Sequence, residues 1–107
     1  MANNDPHGDI KTALQHAGRL LQQQPLLAEQ QAQEILKIKP DLDPALHILA
    51  AAYRFQGKID DALDIMVPLA ARHEKSAPIL LELGLCFMAN GQTRGAIKMI
   101  RKAVNLV

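Results

Sequence analysis

The first constraints come from what this chain lacks. Its 107 residues include a single cysteine, Cys86, so no internal disulfide can form, and a small apolar side chain in an apolar helical stretch reads as core packing in a reducing compartment. Neither sign of charge is in excess: 12 Lys and Arg stand against 11 Asp and Glu, scattered along the chain, for a net charge of +1. That balance gives no electrostatic footprint for nucleic acid or an anionic membrane. No apolar run approaches the ~18 residues of a membrane span, and the start MANNDPHGD has no apolar segment of the secretory kind. A soluble, cytoplasmic protein is predicted.

The usual signatures of catalysis are missing too. His7, His16, His47 and His73 show no HExxH or other ligand spacing, and one cysteine cannot build a zinc cluster, so no metal is expected. The glycines at 8, 18, 57, 84, 91 and 95 form neither GxGxxG nor a P-loop, which leaves a nucleotide or sulfonucleotide without a cradle. Asp60, Asp61 and Asp64 resemble a carboxylate cluster, but they open a helix, where the dipole favours negative charge. The chain is expected to carry no cofactor and no activity of its own.

What is present is a helical, globular composition with a period. Hydrophobic residues make up 49% and charged residues 21%, enough for a core. YRFQGKIDDAL at 53–63 and FMANGQTRGAI at 87–97 place an aromatic, a glycine and an alanine at the same offsets: Tyr53 and Phe87, Gly57 and Gly91, Ala62 and Ala96 are each 34 residues apart. Leu46, Leu49 and Ala50 fall opposite Leu80, Leu83 and Gly84, and Pro44 opposite Pro78. Apolar residues recur at three and four, the helical period, and no segment alternates as a strand would.

The spacing predicts helices over 10–22, 26–38, 44–56, 60–73, 78–90 and 94–107, arranged as three hairpins. Asp43 before Pro44 marks a helix start, with its carboxylate placed to accept a free backbone N–H. Gly57 and Gly91 are helix stops. In the first hairpin AEQQAQEILKIKP at 28–40 aligns with the later second helices, although LLQQQPLLA before it has no glycine and Gly18 to Ala28 is shorter than Gly84 to Ala96. Residues 1–8 are expected to be a disordered tail, with repeats at 9–42, 43–76 and 77–107. Pro68 falls inside a predicted helix and should kink rather than break it, leaving the Asp64 carbonyl open to solvent.

A 34-residue helix hairpin with L-x2-L-G/A-x2-aromatic in its first helix and A-x3-apolar in its second resembles the tetratricopeptide repeat. The match runs through Leu46, Leu49, Ala50, Tyr53, Gly57, Ala62 and Met66, then Leu80, Leu83, Gly84, Phe87, Gly91, Ala96 and Ile100. Leucine stands at 46 and 80 where the family prefers tryptophan, and Glu74 where the first repeat has Pro40. The resemblance implies an all-α, right-handed α-solenoid of three hairpins acting in protein–protein interaction. More narrowly, LLQQQPLLAEQQAQEILKIKP, IMVPLAARHEKSAPILLELGL and IKMIRKAVNLV are similar to the repeats that precede the catalytic domain in bacterial tetratricopeptide-repeat sulfotransferases. That implies a non-catalytic N-terminal domain, with any sulfuryl transfer occurring elsewhere. A free-standing adaptor or oligomerisation scaffold is the alternative.

Function then falls to the surface. Helical spacing gives the first helices a concave face of His47, Ala51, Arg54 and Phe55, followed by Leu81, Leu85, Met88 and Ala89. Either a following helix covers Leu81, Leu85 and Met88, or they form a groove for a peptide or helix, with Arg54 and His47 as its polar rim. Where related domains that clamp a C-terminal carboxylate carry lysine, arginine and asparagine, the matching places here include His47, Ala51, Leu81 and Leu85, which disfavours an acidic-tail chaperone ligand. RKAVNLV stops inside a helix without a cap, so the chain is expected to be a fragment. Its partner would be a protein, a peptide or a missing C-terminal part of its own chain, and Ile100, Val104 and Val107 would drive self-association.

Overall fold

The computed structural model describes residues 6–107 and contains six helices and, among these residues, no strand. They are α1 (Pro6–Leu20), α2 (Pro25–Ile38), α3 (Asp43–Phe55), α4 (Ile59–Arg72), α5 (Ala77–Ala89) and α6 (Thr93–Asn105). α1 begins inside the segment expected to be a tail; the rest of that expectation, residues 1–5, lies outside the described residues.

The period of the sequence is also the period of the backbone. α2, α4 and α6 open at Pro25, Ile59 and Thr93, and α3 and α5 open at Asp43 and Ala77, all at intervals of 34 residues. The reason is local. Gly57 and Gly91 have φ of 79° and 77°, the left-handed conformation that only glycine adopts at little cost. Each lets the helix before it close by the same pair of bonds. Gly57 N–H donates to the Arg54 carbonyl at 3.0 Å and Lys58 N–H to the Tyr53 carbonyl at 2.8 Å; Gly91 and Gln92 do the same to Met88 and Phe87 at 3.1 and 2.8 Å. These are Schellman closures, and both glycines terminate their helices as the spacing predicted.

The first hairpin departs where its sequence does. Residues 21–24 contain no glycine, and no non-glycine residue among those described has positive φ, so a left-handed closure is not used. Instead Gln24 N–H donates to the Leu20 carbonyl at 2.8 Å and the connection is one residue longer than those at 56–58 and 90–92. The start of α3 also differs from expectation. Leu42 is the capping residue and no side chain caps there; the Asp43 carboxylate turns away to His73 Nε2 at 2.5 Å and Arg72 at 3.6 Å. Among the described caps only Ser76, one period after Leu42, uses its side chain, its hydroxyl accepting from Ile79 N–H at 3.5 Å.

Each helix packs on the next, α1 also meets α3, α3 meets α5, and no other pair of helices touches among the described residues. α1 and α6 therefore do not touch, and the molecule measures 49 × 26 × 20 Å. One apolar cluster joins α3 to α6 around Ala50, Ala62, Met66, Leu69, Leu80, Leu83 and Cys86; a smaller one joins α1, α2 and α3 around Ile10, Ile35 and Ala45. Small residues set the spacing. A Cβ built on Gly84 would lie 2.8 Å from Ile100 Cγ1 and 3.3 Å from the Ala96 carbonyl oxygen, so α5 and α6 pack this closely only because position 84 has no side chain. α4 runs unbroken through Pro68. Met66 and Leu69, both fully buried, contribute about 1.5–3 kcal/mol each, which offsets the ~3 kcal/mol that an interior proline costs. Asp64 and Pro68 are exposed, so water can reach that part of the helix. No described helix is long and apolar enough to cross a membrane.

Candidate functional site

The face predicted from spacing lies on α3 and α5, the first helices of the second and third hairpins, which touch each other. His47 and Leu81, Ala51 and Leu85, Arg54 and Met88 occupy equivalent positions one period apart. Their side chains meet different fates. Phe55, Leu81 and Met88 are exposed, Leu85 and His47 are half-buried, and Ala51 is buried. Phe55 points toward the first hairpin, where it lines a hollow of about 440 Å³ with Gly18, Arg19, Leu21, Gln22 and Gln23. The Arg54 guanidinium lies 4.6 Å from its ring centroid, a cation–π contact.

Arg54 and His47 do not form a free polar rim. Both turn to Glu82, a residue of α5 only 5% exposed. Arg54 Nε donates to Glu82 Oε2 at 2.5 Å and its terminal nitrogen to Oε1 at 3.2 Å, the bidentate geometry in which guanidinium–carboxylate pairs are strongest. His47 Nε2 sits 4.0 Å from Oε1, and the Cys86 thiol donates to Oε2 at 3.5 Å. The sequence reading passed over Glu82, though a signal was available: it is the one charged residue in the otherwise apolar α5, and a buried carboxylate requires a partner. Arg54 is the one Lys or Arg in α3.

The electrostatics describe a structural tie. The Glu82 hydrogen bonds raise the Arg54 pKa above its ordinary value despite opposing burial. Burial lowers the His47 pKa from 6.5, opposed by Glu82 and reinforced by Arg54, so the imidazole is neutral at pH 7. Burial, followed by the charge and hydrogen bond of Glu82, pushes the Cys86 thiol up to about 12. A thiol held that high stays protonated and is a poor nucleophile. The described residues contain no group of three or more His, Cys, Asp or Glu placed to hold a metal ion.

A second buried acid ties the first hairpin to the second. Glu29 on α2 accepts from Gln56 Nε2 at 2.8 Å and Lys58 Nζ at 3.1 Å, both in the turn closed by Gly57. Burial raises its pKa, but the bonds from Gln56, Lys58 and Gln33 and the Lys58 charge outweigh that, and the net shift is down. This arrangement can hold helices in register and present Phe55, Leu81 and Met88 to a ligand; it assembles no nucleophile with a base.

No family model matches the chain, and no match was found among curated proteins.

Proposed function

We propose that this chain is a scaffold of tetratricopeptide-type hairpins, stacked as a right-handed α-solenoid, that binds a protein or peptide along the α3–α5 face. The observation that carries the reading is the 34-residue recurrence of helix starts together with the paired Gly57 and Gly91 closures. The pattern of touching helices supports it: α1, α3 and α5 follow one another on one side while α2, α4 and α6 do not touch. Exposed Leu81 and Met88 beside the fixed Arg54–Glu82 pair supply apolar contact on a pre-organised surface, the pattern of a helix or peptide groove. The resemblance to the repeats of bacterial sulfotransferases supports its attachment to such an enzyme, to which it would contribute binding and no chemistry.

The test is selection of binders from a displayed random-peptide library against the folded chain, followed by measurement with Leu81→Glu and Met88→Glu. Selected peptides should lose affinity in both variants while helicity is retained; binders indifferent to both would reject this face. A phosphosulfate-binding motif in the coding sequence beyond Val107 would support the attached enzyme, whereas further repeats or a stop codon would favour the adaptor.

A further inference from the structure

The outer edge of α6 differs from the equivalent edges of α2 and α4. Positions 36, 70 and 104 are one period apart; Leu36 is half-buried and Ala70 is 6% exposed, but Val104 is 61% exposed. Positions 29, 63 and 97 behave alike: Glu29 is buried, Leu63 half-buried, and Ile97 46% exposed. On α2, Leu36 packs in the cluster that contains Ala45 of α3, and Glu29 bonds Gln56 and Lys58 just beyond α3; on α4, Leu63 and Ala70 belong to the cluster that contains Ile79 and Leu80 of α5. On α6 it carries Ile97 and Val104, both exposed among the described residues, and half-buried Ile100 continues the stripe between. Arg94 and Arg101, seven residues apart, border it on one side, with Lys98 and Lys102 one step further round. These residues with Ile97 and Asn105 line a groove of about 350 Å³. α6 has no acidic residue, and none of its four cations pairs with a carboxylate among the described residues.

We infer that this edge of α6 is a docking site for an acidic amphipathic helix, laid along α6 as α3 lies along α2 and α5 along α4. The charge decides the occupant. A second copy pairing α6 with α6 would oppose two sets of four cations, and like charges brought together in an interface cost several kcal/mol. This argues against the self-association expected of Ile100, Val104 and Val107. A helix with an apolar stripe edged by Glu or Asp covers Ile97 and Val104 and places carboxylates over Arg94 and Arg101. The inference is independent of the α3–α5 reading, because the two surfaces share no residue.

The experiment is fluorescence anisotropy with a labelled amphipathic peptide bearing a leucine stripe edged by glutamates, alongside its twin with lysines in place of the glutamates. The glutamate peptide should bind at least about tenfold more tightly at low salt, and salt should erode the difference. Arg94→Glu with Arg101→Glu should reverse the preference. Val104→Ser should weaken binding with helicity unchanged, and Leu81→Glu should leave it unaltered. Equal binding of the two peptides, no binding, insensitivity to the Arg94 and Arg101 changes, or loss of binding in Leu81→Glu would each overturn the inference. So would sedimentation as a dimer that Val104→Ser dissociates, since the occupant would then be a second copy.

Discussion

Replacing Gly84 with alanine tests the close approach on which the hairpin packing depends. Alanine would add a Cβ 2.8 Å from Ile100 Cγ1, 3.3 Å from the Ala96 carbonyl oxygen and 3.4 Å from Met99 Cβ. Ile100 is only half-buried and its side chain can rotate away. The Ala96 carbonyl cannot, because it belongs to the backbone of α6, so the two helices must separate by a few tenths of an ångström. Overpacking of this kind costs about 1–3 kcal/mol. Against it stands the better helix propensity of alanine, worth ~1 kcal/mol over glycine. The net expectation is a loss of about 1 kcal/mol.

Gly18 provides the control. It is also helical, and a Cβ there would meet nothing within 4 Å. Gly18→Ala should therefore gain up to about 1 kcal/mol from propensity alone. The variants should differ by about 2 kcal/mol, which for a domain of this size is roughly 8–16 °C in melting temperature. Urea and thermal unfolding followed by far-ultraviolet circular dichroism read this directly. If Gly84→Ala proves as stable as Gly18→Ala, glycine at 84 is not what lets α5 and α6 approach, and the packing argument fails. Gly84→Leu should lose more than Gly84→Ala, because its larger side chain enters the same gap.

Arg54→Ala should cost about 3 kcal/mol in urea unfolding, the low end for breaking a buried pair because Arg54 keeps some exposure, whereas Arg54→Met with Glu82→Leu should come within ~1 kcal/mol of the parent; equal losses in both would show that the pair is not what Glu82 needs. The folded His47 pKa lies below its unfolded value of 6.5, so the unfolded chain binds more protons and stability should fall as pH drops through and below 6.5. His47→Gln should flatten that window, and an unchanged slope would discount the buried imidazole. Glu29, lowered from 4.5, contributes stability above that pH that should be lost progressively below it, and Glu29→Gln should remove this acid-side loss. With its thiol pushed up to about 12 and buried, Cys86 should react with a disulfide reagent at pH 8 only as fast as the chain opens, so urea should accelerate labelling steeply; a fast native rate would contradict the buried, protonated thiol.

Much of the backbone was legible because its determinants are local. The offset between aromatic and glycine at 53–57 and 87–91 encodes two Schellman turns, and the apolar spacing encodes each helix face. The predicted boundaries follow the observed helices, with α1 starting earliest relative to its prediction, at Pro6 rather than residue 10. That hairpin lacks the glycine that marks the others. Asp43 was misread for a related reason: a capping pattern describes what a carboxylate can do within its own turn, while His73 and Arg72, about thirty residues onward, offered a stronger partner.

The isolated charge of Glu82 could be noticed in the sequence, but which residues pair across the junctions could not, because the polar ties break the repeat that made the rest readable. One period from Glu29 stands Leu63; from Asp43, Ala77; from Arg54, Met88; and one period before Glu82 stands Ile48. Each of these polar contacts therefore occurs once, and each belongs to a different junction: Glu29 with Lys58 joins the first hairpin to the second, Asp43 with His73 closes the second upon itself, and Arg54 with Glu82 joins the second to the third. Apolar faces repeated every 34 residues would allow one hairpin to pack against another's neighbour with little penalty. Glu29 and Glu82, the buried carboxylates of these contacts, find partners in only one arrangement, which makes every other arrangement costly. On this argument the periodic residues build the hairpins and the aperiodic charges set their order. Exchanging the side chains of Arg54 and Glu82 should retain that order, whereas moving Glu82 to position 48 should disrupt it.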